Sequence, residues 1–264
     1  MTDKPLIPAA TILLVRDAPH LEVLMVQRHH QIDFVPGALV FPGGKTARED
    51  SDPAWAEHCD GFDGDPDHLA LRICAIREAF EESGVLLARP AGRRGAGAPL
   101  AEAADTAAIV GLREAIDKGE VSFLRTIAEA GLVLALDALV RFAHWITPLG
   151  MPKRFDTHFY IARTPSEQLA ACDGREAVDA CWIRPADALA DNDAGRRKII
   201  FPTRLNVELL AGAATVDEAI AASMARRIVT VEPLIVREGE TLVLTIPAEA
   251  GYAVTREPLT SANT

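Results

Sequence analysis

Three glutamates, Glu78, Glu81 and Glu82, lie within the stretch REAFEESGV that runs from Arg77 to Val85. On a helix turning about 100° per residue, Glu81 and Glu82 fall within about 60° of Glu78, so the three carboxylates share one face. Leu69, Ile73, Ile76 and Phe80 fall at roughly 160–220°, on the opposite face. Hard oxygen donors converging on one point suit Mg2+ or Mn2+. Folding alone does not favour such a cluster. Near a helix C-terminus the dipole disfavours each anion by ~0.3–1 kcal/mol, and carboxylates three and four residues apart repel one another. Local rules broken without a structural gain mark a functional site. The alternative reading is a solvated acidic face.

The element that must hold these acids is marked at both ends. Asp65 is an N-cap residue, Pro66 suits the first helical position, Asp67 places negative charge in the first turn, and Gly84 is a helix terminator. The stretch Asp65 to Leu87 therefore predicts a helix of about five turns. Upstream, FPGGK spans Phe41 to Lys45.

Together the two stretches resemble the Nudix box, G-x5-E-x7-R-E-U-x-E-E-x-G-U, where U is aliphatic. Arg77, Glu78, Ala79, Glu81, Glu82, Gly84 and Val85 fill its second half in register, and Gly44 begins its first half, with Asp50 where the family has Glu. Arg77 lies 33 residues after Gly44 rather than 14, an insertion of 19. The inserted run Ser51 to Asp65 is polar and rich in Gly and Asp, which predicts a loop that leaves the fold intact. Arg28, and Gly37 three residues before FPGG, resemble the signature of coenzyme A-type Nudix diphosphatases. HWITP and KRFDTHFYIA, within Ala143 to Ala162, resemble the branch that includes the peroxisomal coenzyme A diphosphatases, which share a long insertion in the box. This resemblance implies an α/β Nudix fold, an α/β/α sandwich with a mixed β-sheet, in a single domain over residues 1–264 with the box split over 44–85.

Composition agrees with an enzyme of this kind. The chain has 264 residues, 49% of them hydrophobic, enough to bury a substantial core. A net charge of −11 argues against nucleic acid or an anionic membrane as the main partner, since both require basic patches. Cys59, Cys74, Cys172 and Cys181 show no CxxC spacing and read as ordinary thiols in a reducing cytosol. With no signal peptide and no apolar run of membrane length, a cytoplasmic protein is expected.

Along the chain, Ala10 to Val15 and Leu21 to Val26 predict two strands joined by a short turn. His29 and His30 are adjacent and on an extended chain point to opposite sides, which favours a surface role over metal ligation. Arg89 to Ala104 reads as a flexible connection. A helical insertion is expected at about 90–142: Asp105 to Lys118 with Ala108, Ile109, Leu112 and Ile116 on one side, Ser122 to Ala130, and a third helix through Leu136 to Arg141. It reads either as a cap whose apolar residues Ile109, Leu112, Phe123, Leu124 and Ile127 line a groove or as packing with no contact to substrate. Strands follow at Thr157 to Ala162 and Ala180 to Ile183, and a helix at Val207 to Ala214. A C-terminal β-hairpin at about 228–247, apolar on both faces, predicts a sheet edge or a homodimer contact. The tail Glu257 to Thr264 is expected to be disordered.

The resemblance implies hydrolysis of a diphosphate linkage. Glu78 and Glu82 are the expected ligands of Mg2+ or Mn2+, with Glu81 completing the set, the carbonyl of Gly43 contributing, and Arg77 orienting the carboxylates. Arg28, Gly37, Gly44, Lys45 and Arg154 are the expected substrate contacts, and Glu176 is a possible additional acid. Coenzyme A or an acyl thioester is the expected substrate; ADP-ribose, dinucleotides and other nucleoside diphosphate derivatives form the alternative.

Overall fold

The computed structural model describes residues 4–28, 37–61, 66–166, 168 and 177–259. Its centre is the strand β1 (Leu6–Asp17), buried on both faces: Ala10, Ile12 and Leu14 point to one side, Leu13 and Val15 to the other. A strand enclosed in this way carries a nearly continuous apolar run rather than an alternating one, which is how this stretch reads.

β1 turns into the antiparallel β2 (Leu21–Arg28), with Val15 opposite Val23. At its far end β2 leaves β1 and pairs instead with the short β3 (Leu39–Val40), while β4 (Gly43–Lys45) pairs with the vacated edge of β1, placing Gly44 opposite Ala10. The FPGGK turn therefore occupies the point where the two strands diverge.

Downstream come β5 (Cys59–Asp60), α1 (Pro66–Ser83), β6 (Ala88–Pro90), α2 (Ala103–Val110), α3 (Arg113–Asp117), α4 (Phe123–Glu129) and β7 (Leu132–Ala135). They are followed by β8 (Val140–Ile146), β9 (Arg154–Arg163), β10 (Ala177–Ile183), α5 (Pro185–Asp193), α6 (Phe201–Leu210) and α7 (Val216–Ala225). The main sheet is mixed, in the order β10-β2-β1-β9-β8 and then β11 (Thr230–Val231), with β1 and β9 parallel and most other neighbours antiparallel. One apolar cluster joins α1 and the inserted segments to one face, and a second joins α5, α6 and α7 to the other. The layering is α/β/α, as expected. No described helix is long and apolar enough to cross a membrane.

Several expectations need correction. The described part of the run inside the box, Ser51 to Gly61, does not loop out: 3-10 turns at Arg48–Ser51 and Pro53–Glu57 carry Trp55 into the core, its ring 5.7 Å from Phe123, and β5 pairs with β7. Arg89 to Ala104 is pinned rather than loose. The buried Arg89 guanidinium bonds both oxygens of Asp137, at 2.6 and 2.8 Å, and Asp60 at 2.9 Å, while the Gly95 and Gly97 amides donate to Asp60 and Asp137.

The helix expected over Asp105 to Lys118 breaks at Gly111 into α2 and α3, leaving Ala108 and Leu112 exposed. Leu136 to Arg141 is a 3-10 turn leading into β8, not a helix. The helix expected from Val207 starts at Phe201, and α7 escaped notice although Thr215 and Glu218 form a capping signature, the Thr215 hydroxyl accepting from the Glu218 amide at 3.2 Å.

Ile109, Phe123 and Ile127 are buried with Phe80 and Trp55, so these side chains build core rather than a groove. Of the expected hairpin over 228–247, Thr230–Val231 does join the edge of the main sheet as β11, while the remainder, β12 (Leu234–Glu238) with β13 (Thr241–Thr245), stands apart from that sheet. It forms its own three-stranded sheet with β14 (Arg256–Pro258), which draws part of the expected disordered tail into regular structure.

Candidate active site

The C-terminal half of α1 carries the three carboxylates onto β4, and the two are joined along the Gly-Gly-Lys backbone. The Gly43 amide donates to Glu82 Oε2 at 3.3 Å, the Cys74 thiol to the Gly44 carbonyl at 3.6 Å, and Arg77 to the Lys45 carbonyl at 3.1 Å. Close approach requires the glycines. A β-carbon on Gly44 would lie 2.5 Å from Glu78 Oε1, and one on Gly43 2.6 Å from the Ala10 carbonyl oxygen.

Glu78, Glu81 and Glu82 are 9%, 6% and 9% exposed, so the reading of a solvated acidic face fails. What makes their burial tolerable is Arg77. Its Nε and Nη2 grip Asp50 in a bidentate pair at 2.9 and 3.0 Å, and its Nη1 bonds Glu78 at 2.8 Å and Glu81 at 2.7 Å. Burial works against the charge of Arg77, but the Asp50 hydrogen bonds and the pull of Glu78 hold it protonated more firmly than a free arginine. Glu81 is pushed up to about 8, because burial outweighs the opposing pull of Arg77 and Glu78 adds repulsion. Asp50, itself buried, also accepts from the Ala47 amide at 2.7 Å. It is thus the partner of Arg77, a role its position in the sequence did not reveal.

The end of α1 has a further compensation. Arg113 of α3 donates to the carbonyls of Phe80 and Glu81, both at 2.9 Å, placing a cation where the helix dipole is negative. Nothing in the local pattern around Arg113 signals this contact, because it crosses more than thirty positions of chain.

Residues 60–205 match the sequence profile of the NUDT19 Nudix domain. The chain belongs to this Nudix family. It is 29% identical to the acyl-coenzyme A diphosphatase NUDT19 of Gallus gallus, an alignment covering 69% of this chain and 61% of the chicken protein. It is 26% identical to the protein of the same name from Xenopus laevis, over 88% of this chain and 71% of that one. Among solved structures, a Nudix hydrolase from Alicyclobacillus acidocaldarius superposes with a TM-score of 0.68 at 26% identity, covering 83% of this chain and 96% of the other.

The Nudix box of this chain thus presents oxygen donors from adjacent turns of one helix against a glycine pair, in which the missing β-carbon of Gly44 leaves space for Glu78 and that of Gly43 lets β4 lie against β1. Donors of this kind fit hard divalent ions. The other expected residues are spread more widely. Gly37 has a left-handed backbone, φ 71°, just before β3, and Arg28 ends β2. The Lys45 side chain is exposed at the end of β4. Arg154 is buried at the start of β9, donating to the Thr147 carbonyl at 3.1 Å and to Glu232. Glu176, His29 and His30 lie outside the described residues.

Two features went unread in the sequence. One is a cavity of about 230 Å³ on the α6 side of the sheet, lined by Phe41, Trp145, Met151, Phe155, Phe201 and Leu244 among others. The other is a group formed by His144, Asp156 and His158 on β8 and β9. The alternation Asp-Thr-His was its available signal, since residues two apart on a strand share a face.

Proposed function

We propose that the chain is a metal-dependent diphosphatase that cleaves coenzyme A or its thioesters at the diphosphate, giving 3′,5′-ADP and phosphopantetheine or its acyl form. The observation that carries this reading is that the carboxylates and the apolar cavity share one turn. Phe41 lines the cavity, and two and three residues on, Gly43 and Gly44 hold Glu82 and Glu78. The carboxylates lie on the α1 side of the sheet and the cavity on the α6 side, so an elongated substrate held by its diphosphate at the carboxylates carries its uncharged chain around the FPGGK turn to reach the cavity.

In this proposal Glu78 and Glu82 hold Mg2+ or Mn2+, with Glu81 completing the set and the Gly43 carbonyl as a further donor. Ions held by these residues would supply charge neutralisation at the diphosphate oxygens and a more acidic water. Arg77 touches no substrate. It keeps Glu78 and Glu81 in register and is itself anchored by Asp50, so that the carboxylates are positioned before substrate arrives. A water adds to phosphorus, the bridging P–O bond breaks, and the leaving phosphate oxygen receives the proton that the water gives up.

Lys45 and Arg28, at the ends of β4 and β2, are the cations assigned to the 3′-phosphate, and Gly37 gives the backbone room at the neighbouring turn. Arg154 acts at one remove, by tying down Thr147 at the rim of the cavity. Cys59 and Cys74 are buried thiols, and a reducing cytosol is the proposed place of action.

The test is a mass-spectrometric assay of a pooled substrate panel with Mg2+ or Mn2+, containing coenzyme A, thioesters of increasing acyl length, ADP-ribose and dinucleotides. Release of 3′,5′-ADP should dominate; products of ADP-ribose or dinucleotide cleavage as the main outcome would replace this reading with the alternative. Burial of each acyl methylene contributes ~0.8 kcal/mol. Affinity should therefore rise with chain length until the cavity is filled, and Met151→Trp should flatten that rise while leaving turnover of coenzyme A within about twofold. A variant that retains the full chain-length preference places the acyl group elsewhere.

A further inference from the structure

We propose that His144, Asp156 and His158 form a second metal site, one that takes a divalent transition-metal ion such as Zn2+ or Co2+ and is distinct from the carboxylates of α1. His144 and His158 are directly opposite one another in the antiparallel pair of β8 and β9, and Asp156 lies two residues before His158 on the same face. All three side chains therefore project from one patch of sheet.

Their donor atoms converge. Asp156 Oδ1 lies 2.5 Å from His144 Nε2 and 3.7 Å from His158 Nε2, and all three donor atoms lie within 4.8 Å of one another. An ion bound at about 2.0–2.2 Å to nitrogen and oxygen donors holds neighbouring donors roughly 3.0–3.6 Å apart, so closing on such an ion needs shifts of about an ångström. The rings are already placed for it. His144 Nδ1 is 2.8 Å from Thr230 Oγ1 on the neighbouring β11, an outer hydrogen bond that orients the ring with Nε2 toward Asp156. The His158 ring stacks on His144 with centroids 4.0 Å apart, and the edge of His68, from α1, meets it at 5.1 Å.

The chemistry of the donors separates this site from the carboxylates. Two imidazoles and one carboxylate favour Zn2+, Co2+ or Ni2+ over Mg2+, which prefers oxygen donors throughout. Three protein ligands also leave a coordination position for water or an anion. Strand register puts His158 opposite Ala10, and Ala10 opposite Gly44. Two strand spacings separate the backbones of His158 and Gly44, roughly 10 Å, so this ion would sit on the same face of the sheet as the carboxylates without sharing a ligand with them.

The experiment uses the full chain, stripped with EDTA, dialysed and titrated with Co2+ in a large excess of Mg2+. The expected result is one Co2+ per chain with visible d–d absorption. His144→Ala and His158→Gln should each weaken that binding at least tenfold while the circular dichroism spectrum and Mg2+-supported hydrolysis persist. Glu82→Gln should keep the Co2+ signal. In the wild-type chain, Zn2+ should shift the imidazole nitrogen resonances of His144 and His158, a reading that needs no variant to fold. Co2+ that Mg2+ displaces, Co2+ binding unchanged in both histidine variants, or imidazole resonances indifferent to Zn2+ would each overturn the proposal.

Discussion

The carboxylate of Glu78 occupies the space that a β-carbon on Gly44 would fill, with Oε1 2.5 Å from that position. Gly44 belongs to the FPGGK turn and Glu78 to α1, so this contact couples the two halves of the Nudix box across an interruption of 19 extra residues.

Gly44→Ala should therefore damage catalysis far more than folding. The obstacle to the new methyl is the end of a flexible side chain, which can swing away, whereas displacement of a reacting group by about an ångström can cost about 100-fold in rate. Turnover should fall by about that factor with a melting temperature close to wild type. Comparable turnover in the two proteins would show that Glu78 need not lie against this strand.

Glu82→Gln should lower turnover by about a hundredfold or more, the scale set by losing one electrostatic contact to the transition state. Without metal the variant should be as stable as wild type or slightly more so, because one member of a crowded buried group of acids is replaced by a neutral amide. Thermal melts with and without Mg2+ check this. Wild-type activity, or a variant that unfolds in EDTA, counts against the assignment of Glu82.

Asp50→Ala should be strongly destabilising, by ~3–5 kcal/mol, because it leaves the buried Arg77 guanidinium without its bidentate partner. Denaturant titration reads this directly. Arg77→Lys should also lower activity, since an ammonium cannot hold Asp50, Glu78 and Glu81 at once. A lysine variant with full turnover would show that the fork geometry is unnecessary.

Glu81 sets a pH dependence of stability in the metal-free protein. Burial raises its folded pKa to about 8, from an ordinary value of 4.5, so the folded state binds this proton more tightly than the unfolded chain does. The stabilisation is complete below pH 4.5 and is lost as pH rises through about 8. In EDTA, wild type should melt at a lower temperature at pH 8.5 than at pH 6, and Glu81→Gln should shrink that difference. A difference of the same size in the variant would assign the titration to another group.

The helix α1 was legible because everything that makes it is local. A proline at the start, apolar residues on one face and Gly84 with φ 78° at the end all act within a few turns, and the box acids follow from them. The hairpin of β1 and β2 was legible for the same reason. Turn-forming residues separate two β-rich runs, and short-range pairing completes them.

Tertiary structure decided what depends on distant partners. The sequence around Arg89 is rich in Gly, Ala and Pro and reads as slack, yet its shape comes from ion pairs to Asp60 and Asp137, 29 and 48 positions away. Leu136 to Arg141 has the composition of a helix, but β8 gains a sheet partner in β9, and pairing outweighs local preference. Asp50 looked like a departure from the family pattern until the fold brought it to Arg77. His144 and His158 lie 14 residues apart on either side of a turn, and only strand register sets their rings face to face with Asp156. Local sequence writes propensity and periodicity; burial, charge pairing and register arise only when remote segments meet.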